Sequence, residues 1–300
     1  MADARRRSTS RRELARRPDF EQMSPEVGEL DEEAVEQALS GDPDETLSTL
    51  AELTGATDPV LRDLARRLAG RLFLDLARRG PPRPRGVGRL HTERFGPDGG
   101  DLDLDASLDA IVHARGTRSA IDPDELFVRT WTTPDTAYCL VVDRSGSMGG
   151  RPLATSALAA AAIACRAPED YSVLSFGKDV IAPKSQDVPR STEAVVDAVL
   201  ALRGFGTTDV AGALHAAREQ LSRSPASRRI TVLLSDCRST EVGPAGDPVD
   251  VARRLDELVI VAPDGEDDEA REFAAAVGAR IGTVAGPSDI VNALTDVLDT

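Results

Sequence analysis

Aromatic residues and cysteine are scarce in this 300-residue chain. Phenylalanine, tryptophan and tyrosine make up 3% of the residues, whereas hydrophobic residues make up 41%, so the core must consist of alanine, valine, leucine and isoleucine. The three cysteines, Cys139, Cys165 and Cys237, are odd in number and show no CxxC spacing. This usage favours a reducing, cytoplasmic setting in which Cys139 and Cys165 are small core residues.

Long apolar runs and a positive net charge are also missing. The longest apolar run, residues 157–165, is far shorter than the roughly 20 residues that span a bilayer. The Arg-rich N-terminus lacks the apolar stretch of a signal peptide. The net charge of −15 would repel the phosphates of nucleic acids. We therefore expect neither a membrane span nor a nucleic-acid partner.

The motifs of common enzyme classes are absent from the sequence. Gly177-Lys178 is followed by Asp179 and lacks the upstream glycine of a P-loop, so there is no Walker motif. Neither Ser145 nor Ser147 has the flanking glycines of a nucleophile elbow. The three histidines are widely separated. These absences predict a protein that is not an enzyme.

Oxygen-bearing side chains alternate in the turn after the most strand-like segment. Residues 137–142 have the apolar composition of a buried parallel strand. Asp143, Ser145 and Ser147 follow in a glycine-rich turn, and residues 153–165 have an Ala-rich helical pattern. In an open α/β sheet, ligands bind at this carboxyl end of a strand. One carboxylate and two hydroxyls favour a hard divalent ion over zinc.

Two later segments offer further oxygen donors. The Gly/Thr loop 204–209 contains Thr208, and the buried-strand pattern 230–235 ends directly in Asp236. Strand and helix patterns alternate from residue 126 onward, which is typical of an α/β fold with a doubly wound, mostly parallel sheet. The pattern predicts all of these donors at one edge of that sheet. The alternative is a set of ordinary turn and cap residues, because Ser, Asp, Thr and Gly are common there.

Taken together, these segments resemble the von Willebrand factor A (VWA) domain family and its metal-ion-dependent adhesion site. The resemblance covers residues 126–300 and implies a Rossmann-like fold. It assigns five ligands to a Mg²⁺ ion, with Mn²⁺ or Ca²⁺ as alternatives: Asp143, Ser145, Ser147, Thr208 and Asp236. Cys237 departs from the family, which usually has glycine at that position. The resemblance implies that a partner protein supplies an Asp or Glu to the metal.

The first 125 residues divide into three predicted segments. Residues 1–30 are expected to be a basic, disordered arm. Residues 31–80 contain three amphipathic helix patterns, which predict a small helical domain. Residues 81–125 have the composition of a basic linker followed by a short helix.

The aspartates of the DLDLD segment, residues 101–105, precede that short helix. They are not a calcium loop of the EF-hand type, because Ala106 replaces its glycine and Val112 its glutamate. We expect a solvated, capping helix start instead.

The order of helical front, basic linker, DLDLD segment and VWA-like domain also resembles bacterial proteins of the CoxE and ViaA type. Those proteins work with MoxR-type AAA+ ATPases. The resemblance implies a bacterial adaptor that works with such an ATPase in protein or metal-cofactor maturation. A chelatase-like role is a variant of this function, and the sequence does not separate the two.

A hydrolase is the alternative from a different functional class. One Mg²⁺ or Mn²⁺ ion with a bound water could polarise a phosphoryl oxygen of a phosphate ester. Such an enzyme also needs a general base or a second metal. Asp209 is the only spare carboxylate close to the predicted ligands in sequence.

Overall fold

The computed structural model of the chain describes residues 9–17, 19–79, 89–95, 101–117, 121–132, 136–144, 150–202, 204, 207–238 and 243–299. The chain divides into two units, Met1–Pro82 with Thr136–Thr300 and Arg83–Asp135. The helices are α1 (Arg11–Leu14), α2 (Phe20–Met23), α3 (Glu32–Gly41), α4 (Pro43–Leu53), α5 (Pro59–Arg78), α6 (Leu108–Thr117), α7 (Gly150–Arg166), α8 (Thr192–Leu200), α9 (Val210–Leu221), α10 (Pro248–Ala252), α11 (Asp268–Val277) and α12 (Ile290–Leu298). The strands are β1 (Arg89–Arg94), β2 (Asp101–Leu102), β3 (Phe127–Thr132), β4 (Thr136–Asp143), β5 (Tyr171–Phe176), β6 (Val180–Lys184), β7 (Arg228–Leu234), β8 (Glu257–Pro263) and β9 (Arg280–Val284).

A six-stranded sheet with the order β6-β5-β4-β7-β8-β9 forms the centre of the larger unit. All neighbouring strands are parallel except β6, which pairs antiparallel with β5. The sequence-based prediction of a doubly wound, mostly parallel sheet is therefore confirmed. The order reverses around β4, so the carboxyl end of β4 lies where ligands bind in such sheets.

Strand β4 is buried on both faces, as its continuous apolar run predicts. Leu140 and Val142 contribute to one core cluster, whereas Cys139 and Val141 contribute to the other. Each of these four side chains is at most 1% exposed. The alternation follows from the two-residue period of a strand. The same period determines on which face of the sheet the side chain of Asp143 lies.

Helix α7 follows the candidate metal-binding turn and is buried around its whole circumference from Leu153 to Ala164. It contacts β4 and β5 and also α4, α5, α8 and α12. Small alanine side chains allow neighbouring backbones to approach on several sides, which explains the Ala-rich composition of this segment. In the part of the chain that the structure describes, no helix is both long and apolar enough to cross a membrane.

The structure divides the chain differently from the predicted segments. Residues 31–80, predicted as a separate helical domain, share a core cluster with one face of the sheet. Residues 126–132, predicted within the VWA-like domain, belong to the smaller unit. In the predicted arm 1–30, helices α1 and α2 bury Leu14 and Phe20 in the core of the larger unit. Apolar periodicity shows that a helix face is covered, but it does not specify which element covers it.

The smaller unit is a three-stranded antiparallel sheet, β1-β3-β2, together with α6. It includes two strands where a linker and a short helix were predicted. Asp103, only 4% exposed, accepts hydrogen bonds from Thr92 Oγ1 at 2.9 Å, Arg129 Nε at 2.9 Å and Ala106 N at 3.2 Å. Ser107 exchanges hydrogen bonds with the backbone of Phe127. Asp103 thus caps the turn that leads into α6, and it is buried rather than solvated.

Stability of the smaller unit is expected to fall as the pH drops below 4. The Arg129 guanidinium and the Ala106 backbone N–H lower the pKa of Asp103 from 3.8 to about 2. A depressed carboxyl pKa stabilises the folded state above the unfolded pKa, and that contribution is lost as the pH falls through the folded pKa. The amide NMR signals of β3 should report unfolding in urea at a lower concentration at pH 2 than at pH 4.

The variant Asp103→Asn should be less stable than the wild type at pH 7 and should lose most of this pH dependence. Asp101→Asn, at an exposed aspartate of the same segment, is the matched control and should behave like the wild type. Parallel pH profiles for Asp103→Asn and the wild type would contradict the role assigned to Asp103.

Candidate metal centre

Asp143 and Asp236 lie at the carboxyl ends of two neighbouring parallel strands. Asp143 is the last residue of β4, and the register pairs Val142 with Leu234, the last residue of β7. Ser235 therefore follows β7 directly beside Asp143, and its Oγ donates a hydrogen bond to Asp143 Oδ2 at 2.7 Å. Asp236 is the next residue. The structure thus brings the two predicted carboxylate segments together.

Thr208 comes to the same edge of the sheet through the neighbouring strand on the other side. Asp143 pairs in register with Phe176, the last residue of β5. The carbonyl of the following residue, Gly177, accepts a hydrogen bond from the backbone N–H of Asp209 at 3.1 Å. Thr208 is 2% exposed. The Thr208 loop is therefore attached to the turn that follows β5, beside the end of β4.

The remaining two predicted ligands, Ser145 and Ser147, lie outside the described residues. Arg144, the last described residue before them, is buried. Its backbone N–H donates to the carbonyl of Phe176 at 2.8 Å, and its Nη2 donates to the carbonyl of Asp179 at 3.1 Å. These contacts attach the beginning of the turn to the end of β5 and to the residue before β6.

Asp236 is held by local contacts at the surface of the site. Its Oδ1 accepts the backbone N–H of Arg238 at 3.0 Å, and its Oδ2 lies 3.8 Å from Arg238 Nε. Arg238 Nε also lies 3.2 Å from Glu269 Oε1. The Asp236 side chain is 23% exposed. Arg238 partly balances the negative charge of Asp236, and sequence patterns did not reveal this arginine.

Asp209 caps helix α9. Its Oδ1 accepts the backbone N–H of Gly212 at 2.9 Å. The loop after Asp236 also comes close, because a Cβ at Gly243 would collide with the Asp209 carboxylate. Asp209 therefore stabilises the start of α9. At this position it also packs against the segment that follows β7.

Cys237 adopts a left-handed backbone conformation, with φ of 63°. This is the conformation that glycine adopts without strain, and it agrees with the sequence-level observation that Cys237 stands where the VWA family usually has glycine. Its backbone N–H donates to Ser235 Oγ at 2.9 Å. Burial, followed by the charges of Asp236 and Asp143, raises the pKa of the Cys237 thiol to about 12. The charges of both carboxylates therefore raise the pKa of the same thiol, which stays protonated at neutral pH.

The left-handed conformation at residue 237 predicts a difference between two variants. We expect Cys237→Gly to be more stable than Cys237→Ala by about 1 to 2 kcal/mol, because a Cβ is disfavoured in this conformation. Comparing these two variants isolates the backbone effect, since both remove the thiol. The measurement is the free energy of unfolding in urea with EDTA present. Equal stabilities, or a more stable alanine variant, would show that the backbone at residue 237 is not strained.

The chemistry of the donors fits a hard divalent cation. Within the described ranges, no three His, Cys, Asp or Glu side chains group as a metal site. A metal at this edge therefore needs hydroxyl donors beside the carboxylates of Asp143 and Asp236. Thr208 lies in the right loop to provide one, and carboxylate and hydroxyl oxygens are ligands of Mg²⁺, Mn²⁺ and Ca²⁺ rather than of zinc.

Comparison with known proteins assigns the chain to a family. Residues 76–297 match the family described as "VWA domain containing CoxE-like protein". The chain belongs to this family. The VWA relationship predicted from the Asp143, Thr208 and Asp236 segments is confirmed, and so is the resemblance to CoxE-like proteins. No curated protein sequence is a detectable relative.

Two solved structures are similar to this chain at low sequence identity. The von Willebrand factor type A protein from Catenulispora acidiphila is 17% identical, with a TM-score of 0.43 over 57% of this chain and 43% of that chain. BatB from Bacteroides thetaiotaomicron is 12% identical, with a TM-score of 0.39 over 55% of this chain and 97% of that chain. This VWA protein thus spans less than half of the first of these proteins.

Proposed function

We propose that this CoxE-like VWA protein is a divalent-metal-dependent protein-binding module and not an enzyme. The supporting observation is the convergence of three separate segments at one edge of the sheet. Ser235, beside Asp236, donates a hydrogen bond to Asp143, and the Thr208 loop is bonded to the turn after β5. Ordinary turn and cap residues do not require such convergence of two carboxylates and a buried threonine.

In this proposal, five side chains hold Mg²⁺, with Mn²⁺ or Ca²⁺ as alternatives: Asp143, Ser145, Ser147, Thr208 and Asp236. The two carboxylates at most balance the formal charge of the cation, and the neutral hydroxyls add little further charge, so the ion remains electrophilic. When bound, the ion supplies a positive centre that accepts an Asp or Glu carboxylate from a partner protein. Because the bound cation attracts a carboxylate, the site is expected to prefer an acidic side chain of the partner.

A hydrolase is less well supported by the same site. A hydrolase that uses one metal ion needs a general base near the activated water. The nearest spare carboxylate in sequence, Asp209, instead accepts the Gly212 backbone N–H and caps α9. Among the described residues at this edge, no observation favours phosphate-ester chemistry over the binding of a protein carboxylate.

Membership of the CoxE-like VWA family supports a more specific proposal about the partner. We propose that the chain is a cytoplasmic, bacterial adaptor of a MoxR-type AAA+ ATPase, with a role in protein or metal-cofactor maturation. The net charge of −15 argues against a nucleic-acid partner. ATP hydrolysis would belong to the partner, because this sequence has no Walker motif.

A binding assay with a purified MoxR-type ATPase from the same genome tests this function. We expect the wild type to bind the ATPase with Mg²⁺ and to lose binding in EDTA. Asp143→Ala should lose binding in both conditions. Asp264→Ala, an exposed aspartate after the neighbouring strand β8, is the matched control and should bind like the wild type. Equal binding of all three proteins, with and without EDTA, would overturn the proposal.

A further inference from the structure

Exposed large apolar side chains concentrate in the smaller unit of the chain. Those that are more than two fifths exposed there are Phe95 (48%), Leu102 (45%), Leu104 (63%), Leu108 (55%), Val112 (60%) and Ile121 (42%). Large exposed apolar groups that lie together mark interaction surfaces in folded proteins. The proposed metal site does not use any of these residues.

Three of these side chains are spaced four residues apart. Leu108 and Val112 lie in α6, and Leu104 lies in the turn that leads into it. Backbone hydrogen bonds from Ser107 to Asp103 and from Ile111 to Ser107 continue the helical pattern through that turn. Residues at this spacing lie along one side of a helix. We call Leu104, Leu108 and Val112 the apolar stripe.

The apolar stripe does not belong to the face that secures α6. On that other face, Asp103, Ser107 and Ala114 are buried. Asp103 accepts a hydrogen bond from Arg129 Nε, and Ser107 Oγ accepts one from the backbone N–H of Phe127. The helix is therefore anchored through these residues, while the stripe is exposed.

Acidic side chains flank the N-terminal half of the apolar stripe. Asp105 and Asp109 are next to Leu104 and Leu108 in sequence, and both are exposed. Asp105 Oδ2 also lies 3.5 Å from Arg129 Nη2, which partly balances its charge. Arg115 is the exposed basic residue at the far end of α6. Acidic residues outnumber basic ones in the described part of this unit. A partner that covers the stripe therefore meets apolar side chains with a negative border.

We propose that the apolar stripe of α6 binds an amphipathic helical segment of a partner protein, with apolar residues at four-residue spacing and flanking Lys or Arg. The apolar residues cover Leu104, Leu108 and Val112, and the basic residues face Asp105 and Asp109. The negative border disfavours an anionic membrane, which a basic stripe would attract. The apolar stripe shares no residue with the proposed metal site, so its partner is expected to bind without Mg²⁺.

Binding of a synthetic peptide to the full-length chain tests the proposal. The probe is a fluorescein-labelled peptide with leucines at four-residue spacing and flanking lysines, and binding is followed by fluorescence anisotropy. Two control peptides should have a dissociation constant at least about tenfold higher. One has the same composition in scrambled order, and the other has glutamates in place of the lysines. EDTA should not change the affinity for the first peptide, which distinguishes this result from failure of the metal-dependent function.

Two variants at exposed valines give the matched comparison. Val112→Asp places a charge in the apolar stripe, whereas Val60→Asp places one on α5, where the valine is 57% exposed. Val112→Asp should weaken binding about tenfold or more, and Val60→Asp should leave it unchanged. Circular dichroism checks that both variants are folded.

Three results would overturn the proposal. The first is a failure of either control: the ordered and scrambled peptides bind equally, or Val112→Asp and Val60→Asp change the affinity for the ordered peptide equally. The second is a wild-type dimer in sedimentation that Val112→Asp makes monomeric, which would assign the stripe to a second copy of the chain. The third is binding to vesicles of phosphatidylcholine and phosphatidylserine that Val112→Asp abolishes.

Discussion

Asp143→Ala should abolish the stabilisation of this protein by magnesium. A ligand that binds only the folded state raises the free energy of unfolding by about 2.7 kcal/mol at 100 times its dissociation constant. We expect this gain for the wild type in thermal unfolding with Mg²⁺ and none for Asp143→Ala. The physical reason is that the variant removes one of the two carboxylates that balance the charge of the cation.

The behaviour in EDTA separates loss of metal binding from loss of the fold. Without metal, Asp143→Ala removes the hydrogen bond from Ser235, which costs about 1 kcal/mol, but it also relieves repulsion between Asp143 and Asp236. The variant should therefore unfold near the wild-type temperature in EDTA. Asp264→Ala should respond to Mg²⁺ like the wild type. A full magnesium response in Asp143→Ala would remove Asp143 from the ligand set.

Phe73→Ala should destabilise the sheet as well as the N-terminal helices. Phe73 lies in α5, is 0% exposed, and belongs to the core cluster that includes Leu140 of β4 and Leu158 of α7. Replacing a buried phenylalanine with alanine typically costs about 3 to 5 kcal/mol. Because the helices and one face of the sheet share this core, we expect a single cooperative unfolding transition at a correspondingly lower urea concentration.

Hydrogen exchange resolves which elements respond to Phe73→Ala. Amides of β4 and β7 should exchange faster in the variant, together with those of α4 and α5. Val60→Ala changes an exposed residue of the same helix and should leave exchange in the strands unchanged. Faster exchange confined to the helices, with protected strands, would indicate that residues 31–80 are an independent domain after all.

The fold was largely predictable because strands and helices alternate with clear apolar patterns. The run at 137–142 identified β4, and its lack of polar positions correctly indicated a strand covered on both faces. The Ala-rich segment after Pro152 identified α7, but not its contacts with α4 and α5. An amphipathic pattern records that a helix buries one face, and the choice of neighbour depends on the whole fold.

The convergence of three candidate segments at one edge of the sheet was predictable from the sequence, but their supporting contacts were not. Asp143, Thr208 and Asp236 follow recognisable strand or loop patterns, and the structure brings their segments together. Ser235 gave one usable signal, since it lies between an apolar strand and Asp236. The contact of Gly243 with Asp209 gave none, because it joins two loops whose approach depends on the completed sheet.

Anomalous scattering from crystals grown with Mn²⁺ tests the central claim most directly. The account predicts one strong manganese peak bounded by the side chains of Asp143, Thr208 and Asp236, and loss of that peak in crystals of Asp143→Ala. A manganese peak away from these three side chains, or none at saturating Mn²⁺ in the wild type, would contradict it.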